Sequence, residues 1–172
     1  MITVKYFASL RERMGREQDT LGPERIRTAR DVWDSVSENG DPLGLTANSF
    51  TSVSLDPPLV LWNLQNNSDV YDIYSSPQYF AINVLAAGQQ ELSSHFAQSD
   101  HTVFNGIDYD TSDRGVPLLP DSVARFECRT HQVHDCGDHY IIVGEVDSYR
   151  SNEREPLLFY NGRYASVRSN QD

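Results

Sequence analysis

The sequence predicts a mainly β domain, an antiparallel barrel with a few short helices. Three observations predict it. From residue 43 onward, short segments rich in Val, Ile, Thr and aromatic residues recur between clusters of Gly, Pro, Asn and Asp, which is how strands and their turns are composed. Helical spacing of apolar residues is confined to short stretches. Asn161-Gly162 separates two apolar runs, and Asn-Gly favours the type I′ turn that joins antiparallel strands. Many short strands without long intervening helices favour a barrel over a parallel sheet.

The elements follow in order. Residues 2–7 alternate, with Ile2, Val4 and Tyr6 on one face of a strand, and residues 8–15 read as a short helix closed by Gly15. Residues 28–36 predict a second helix, because Thr28 can cap it and Ala29, Val32, Trp33 and Val36 recur at helical spacing. The turn at residues 39–42, Asn-Gly-Asp-Pro, then opens the strand-rich part. Residues 43–55 alternate polar and apolar side chains, Asp56-Pro57-Pro58 interrupts them, and residues 59–64 form a buried strand. Residues 69–75 predict one or two helical turns, 79–85 a strand, and 88–97 a helix with Leu92 and Phe96 one turn apart. Strands at 123–133 and 140–149 flank the turn at 135–138, and 156–160 with 163–167 form the last hairpin.

The chain has 172 residues, with two Trp, nine Tyr and seven Phe to fill a core. No apolar run approaches the roughly 20 residues of a membrane-spanning helix, and the first residues lack the pattern of a secretory signal, so cytoplasmic residence is expected. Two cysteines, Cys128 and Cys136, make no disulfide framework. The net charge of −11 is uneven: up to Glu38 seven basic residues balance seven acidic ones, and no Lys or Arg occurs between Arg30 and Arg114. Nucleic-acid binding rests on cationic contacts to phosphate, so neither nucleic acid nor an anionic membrane is an expected partner.

The segment from Thr46 to Ser54 places six hydroxyl or amide side chains in nine residues, namely Thr46, Asn48, Ser49, Thr51, Ser52 and Ser54. Alternate members of a strand share a face. Such small polar residues offer hydrogen bonds and let the backbone approach a flat ring. A Ser/Thr-rich strand without a ligand has the same composition.

Six blocks decide between these readings: GDPLGLTANSFTSVSLDPPLVLWNL from Gly40, FAINVLAAGQQELSSHFA from Phe80, FNGIDY from Phe104, GVPLLPDSVARFECR from Gly115, GDHYIIVGEV from Gly137 and PLLFYNGRYASV from Pro156. In order and spacing they resemble the flavin reductase family of the FMN-binding split-barrel type, the reductase components of two-component flavin monooxygenases. The resemblance implies a Greek-key split barrel over residues 39–172 and a homodimer. It also implies an NAD(P)H:flavin oxidoreductase that passes hydride from NADH or NADPH to FMN or FAD and supplies reduced flavin to a monooxygenase. A flavin-binding or partner-interaction protein without turnover is the alternative. Residues 1–37 separately resemble the first half of the molybdopterin synthase small subunit, a β-grasp protein that works through a C-terminal Gly-Gly. This chain ends in Ser-Asn-Gln-Asp, so residues 1–38 are expected to be a β-grasp-like fragment or a substitute first strand.

The resemblance also assigns a site. Thr46, Ala47, Asn48 and Ser49 would line the flavin ring with Ser52, Val53 and Ser54 nearby. Asn66, Asn67 and Ser68 would lie at the ribityl phosphate, and Asn83, His95 and Phe96 beside the flavin. His139 would face the nicotinamide as the catalytic residue, with Tyr160, Arg163 and Tyr164 closing the site. Where many relatives carry arginine before the phenylalanine of the second block, this chain has Ser94-His95, which leaves His95 as the local cationic group for a phosphate. Cys128, His131, His134, Cys136 and His139 fall within twelve residues and suggest zinc. Their spacing is not that of a compact zinc site, and in an unbroken strand His131 and His139 face away from Cys128, His134 and Cys136, so no metal is expected.

Overall fold

The computed structural model describes residues 31–36, 42–66, 79–98 and 104–166, the first of these as backbone alone. The expected elements at 2–7, 8–15 and 69–75, and the site residues Asn67 and Ser68, lie outside the described residues.

Seven strands form one antiparallel sheet: β1 (Asp31–Val36), β2 (Pro42–Ala47), β3 (Thr51–Leu55), β4 (Pro58–Gln65), β5 (Tyr79–Val84), β8 (Ala124–Cys136) and β9 (His139–Ser151). Two small hairpins stand apart from it, β6 (Asp110–Thr111) with β7 (Pro117–Leu118) and β10 (Leu158–Tyr160) with β11 (Arg163–Ala165). A 3-10 turn, Ala87–Gln89, leads into the one described α-helix, α1 (Gln90–His95). No helix of the described residues is long and apolar enough to cross a membrane.

The sheet order is β2-β1-β5-β8-β9-β4-β3, so its two edge strands are consecutive in sequence. A flat seven-stranded sheet would hold those edges about 29 Å apart at ~4.8 Å per strand. The link through Asn48, Ser49 and Phe50 reaches at most about 14 Å. The sheet must therefore curl until β2 and β3 adjoin, which makes it a barrel. Among the described residues those two strands share no ladder, and the wall is split there.

Period-2 alternation fills the interior. Val60, Trp62 and Leu64 of β4 meet Phe80, Ile82 and Val84 of β5, Ala124, Phe126 and Cys128 of β8, and Ile142, Val146 and Tyr149 of β9. Gly144 is required by this packing, because a Cβ there would sit 2.5 Å from Phe80 Cζ and 3.1 Å from Cys128 Cβ. A second cluster, Leu85 just past β5 with Phe96, Phe104, Leu119 and Leu157, packs Leu92 of α1 and Tyr164 of β11.

Of the helix expected at 28–36, the described part, residues 31–36, is a strand instead. β1 lies between β2 and β5, with Asp31 opposite both Ala47 and Val84. Its apolar spacing satisfies a helix as well as a strand, and two ladders outweigh local propensity. The charged Asp34 stands at a register position between Gly44 and Ala81, the smallest neighbours the adjoining strands offer.

Candidate functional site

Helix α1 is the centre of one group of expected residues. Thr46, near the end of β2, donates its backbone N–H to the Phe96 carbonyl (2.9 Å) and its hydroxyl to the Ser93 carbonyl (2.9 Å). Tyr164 of β11 donates its hydroxyl to Ser93 Oγ (3.1 Å) and lies 3.2 Å from Ser94 Oγ. Thr46, His95, Phe96 and Tyr164, distant in sequence, are thus gathered on α1. His95 is half-buried and meets the Phe96 ring edge-to-face, with centroids 4.8 Å apart. Ser93 and Ser94 were not among the expected residues. Their signal is two small polar residues beside the Leu92–Phe96 pair of an otherwise packing helix face.

Ser49 forms the second junction. Its hydroxyl accepts the Asn63 N–H at 2.9 Å and lies 3.4 Å from the Asn63 carbonyl, fastening the β2–β3 link to β4. Asn63, an amide in an otherwise apolar strand, was also missed. Its Oδ1, like Ser52 Oγ, is buried without a hydrogen-bond partner among the described residues; unmade bonds of this kind cost about 1–3 kcal/mol each. Asn48 and Val53 are exposed, Val53 at the β3 bulge, while Ala47 packs against the barrel core. The Ser54 hydroxyl accepts the Asp56 N–H at 3.2 Å and so caps the turn.

A third group lies at the tip of the β8–β9 hairpin. Asn66 binds it twice, from its N–H to the Asp138 carbonyl (3.1 Å) and from Nδ2 to the Gly137 carbonyl (3.0 Å). His139 Nδ1 is 2.8 Å from Asp138 Oδ1. The hydrogen bond from His139 holds the Asp138 carboxyl below the usual carboxylate range. An ionised carboxylate only accepts, so this contact is a hydrogen bond in the tautomer with the proton on Nδ1, which turns Nε2 toward other groups. Asn63 on β4 and Asn66 just past its end are three residues apart, about 10 Å along an extended chain, so the Ser49 junction and the hairpin tip are joined through β4.

Three expected residues sit differently. Asn83 is fully buried, and its Oδ1 accepts the Leu119 N–H at 3.0 Å; it anchors the loop after β7 and presents no surface to an open cleft. Tyr160 is 67% exposed at the β10–β11 turn, and Arg163, its partner in the ladder, is also exposed. A polar cavity of about 440 Å³ opens elsewhere, lined by Arg125, Arg150 and Arg154 together with Asp110, Asp121 and Glu153. Arg125 pairs with Asp110 at 3.1 Å and Arg154 with Asp121. Three cations face three anions, which leaves no net charge to attract a phosphate.

Residues 27–168 match the family model described as "Flavin reductase like domain". The chain belongs to the flavin reductase-like family. It is 46% identical over 123 residues to the FMN reductase (NADH) SmoA of Agrobacterium fabrum, covering 72% of this chain and 70% of that protein. It is 37% identical over 150 residues to the reductase component of the flavin-dependent trigonelline monooxygenase of Acinetobacter baylyi, covering 81% of this chain but only 48% of that longer relative. Its fold matches the Streptomyces globisporus NADH:FAD oxidoreductase SgcE6, in complex with NAD and FAD fragments, with a TM-score of 0.79 and 36% identity over 84% of this chain and 88% of that one.

In this flavin reductase-like chain the Cys/His cluster divides along the hairpin. Cys128 is buried in the barrel core and Cys136 is exposed near the turn, both as thiols. Burial foremost, and then Asp147 and Glu127, push the Cys128 thiol well up. The parity expected for His139 is corrected by the turn: Cys136 pairs directly with His139 across it, and cross-strand partners share a face. His131 lies 3.6 Å from Glu145, which also binds Arg129 at 2.7 Å. Among the described residues no group of three or more His, Cys, Asp or Glu is placed to hold a metal ion.

Proposed function

We propose that the protein is an NADH-dependent flavin reductase that supplies reduced flavin to a partner monooxygenase. The observation that carries this reading is the gathering of Thr46, His95, Phe96 and Tyr164 on one helix beside the seam of the barrel. Expected separately from distant blocks, they meet at one place. Two of the relatives named above carry NADH in their names, one with FMN and the other with FAD, and a third is the reductase component of a monooxygenase.

The bound flavin supplies the redox chemistry, accepting hydride from the nicotinamide. The chain supplies placement. The segment from Thr46 to Ser49, fixed to α1 and β4, would form the wall that holds the ring, and among the described residues the polar atoms of Ser52 and Asn63 are buried there without hydrogen-bond partners. Asn66, with Asn67 and Ser68 that follow it in sequence, would hold the ribityl phosphate end, and the His95 imidazole would be a hydrogen-bonding neighbour of the phosphate. Asp138 fixes the imidazole of His139, whose Nε2 faces the nicotinamide, while Tyr160 and Arg163 close over it. The protein works as a homodimer in the cytoplasm, a compartment in which exposed thiols such as Cys136 stay reduced. Residues 31–36 act as the first strand of the reductase domain, and a truncation that begins at Asp31 is expected to keep activity.

The test is NADH oxidation followed by absorbance with FMN and then with FAD. Turnover far above the protein-free rate is expected with at least one of them. Flavin binding without turnover would instead identify a non-catalytic flavin-binding protein.

A further inference from the structure

We propose that Tyr164 is a positioning residue: its hydroxyl latches the β10–β11 hairpin to α1 and so fixes the nicotinamide side of the site relative to the flavin side. The proposal rests on the flavin reductase reading and reassigns Tyr164 within it, from a group that touches nucleotide to one that places those that do.

The β10–β11 hairpin is not part of the barrel sheet. Its entry is tied down where the Leu157 N–H meets the Leu85 carbonyl (2.8 Å) and Pro156 bridges Ala86. Beyond that entry, Tyr164 reaches α1. Its O–H donates to Ser93 Oγ at 3.1 Å, and Ser94 Oγ, 3.2 Å away, donates to the phenol oxygen. With its proton given to one serine and a lone pair to the other, the hydroxyl is already committed within the protein.

The latch does not end at α1. Ser93 is fully buried, its carbonyl accepts the Thr46 hydroxyl, and the next turn of backbone accepts the Thr46 N–H. A displacement of the hairpin is therefore carried through one short helix to the flavin-side strand β2. The hairpin bears Tyr160 and Arg163 at its turn, whereas α1 bears His95 and Phe96. Tyr164 joins the elements that carry the two sets.

The ring has a separate task. It packs against Leu85, Phe96, Phe104, Leu119 and Leu157 and meets the Phe159 ring edge-on at 5.3 Å. Tyr164→Phe keeps that packing and removes only the latch, so fold and function can be separated.

Steady-state kinetics of Tyr164→Phe should show KM for NADH raised about fivefold, equivalent to ~1 kcal/mol, with kcat and flavin Kd each within about twofold of wild type and Tm little changed. Ser94→Ala, which removes one arm of the latch, should shift KM in the same direction by less. Amide hydrogen exchange across residues 158–165 should speed up in Tyr164→Phe while exchange in β4 and β9 stays as it was. Unchanged KM with unchanged hairpin exchange overturns the proposal. So does a parallel loss of kcat, flavin affinity and Tm, which would mean general structural damage. If wild-type protein reduces no flavin, the flavin reductase reading fails, and hydrogen exchange alone then decides whether the latch exists.

Discussion

The β8–β9 hairpin contains two regions with opposite physics. At its base, Ala124, Phe126 and Cys128 are buried in alternation and meet Val146 and Tyr149 inside the barrel. Past Arg129 the alternation stops, and residues 131–138 are all exposed although the ladder continues to Cys136–His139. Register shifts between Glu127 and Cys128 and between Thr130 and Gln132 mark the change, as bulges do where a strand leaves a sheet's regular surface. Backbone pairing alone therefore does not define the core. The base holds the fold together, and the tip leaves the polar groups of β8 exposed beside His139, which pairs with Gln65 of β4 at the end of the barrel wall.

The comparison is broken most directly by truncating both halves. Phe126→Ala should cost about 3–5 kcal/mol by opening a cavity, whereas Gln132→Ala at the tip should stay within about 0.5 kcal/mol; equal losses in urea unfolding would show the tip to be structural. Gly144→Ala belongs with the base, and the close approach of Phe80 should make it cost about 1–3 kcal/mol. The tip should answer in turnover instead. His139→Ala is expected to lower kcat about ten- to a hundredfold, ~1.4–2.8 kcal/mol, with flavin affinity retained, and an unchanged kcat would remove His139 from the site.

Smaller effects sharpen the contrast. Cys136 should react with a thiol reagent at pH 8 in the native protein, while buried Cys128, with its thiol pKa pushed up, should react only on unfolding; mass spectrometry of the labelled peptides distinguishes them. The Asp138 pKa is lowered by its bond to His139, so its small stabilising contribution is complete above the unfolded-state value and disappears as pH falls through the lower folded-state one. Asp138→Asn should therefore flatten the acid limb of the stability profile slightly. At α1, away from both halves, His95→Arg should tighten FMN binding about fivefold, ~1 kcal/mol, measured by fluorescence titration.

The same contrast explains what was legible in the sequence. Strands β4 and β5, the base of β8 and α1 announce themselves because burial imposes a period on their residues. β1 does not, since Val32, Trp33 and Val36 fit two periods and only the ladders to β2 and β5 choose between them. The two-residue strands β6 and β7 are too short to carry any period. Among the site residues, Thr46 and Ser49 stand out by local composition, but Ser93 and Asn63 act through partners 47 and 14 residues away, and no local pattern encodes such a pairing. Asn83, set beside the flavin by the family resemblance, is fully buried with its Oδ1 accepting the Leu119 N–H, and burial of that kind depends on the loop packed over it, which the strand's own residues do not encode.

The three-residue link from Ala47 to Thr51 has a kinetic consequence. β2 and β3 adjoin along the chain, and each pairs with a sequence neighbour, β2 with β1 and β3 with β4, but these hairpins join the sheet only through distant strands: β1 reaches β5, and β4 waits for β9, where Leu59 meets Glu145. Ordering these strands means closing long loops before the contacts that reward closure can form, and such topologies fold in about milliseconds to seconds, slowly for their size. The seam beside Ser49 is among the last parts of the barrel that can assemble, because its two sides are anchored at opposite ends of the sheet order. A nascent chain therefore completes the wall expected to receive the flavin only after β9 has been made.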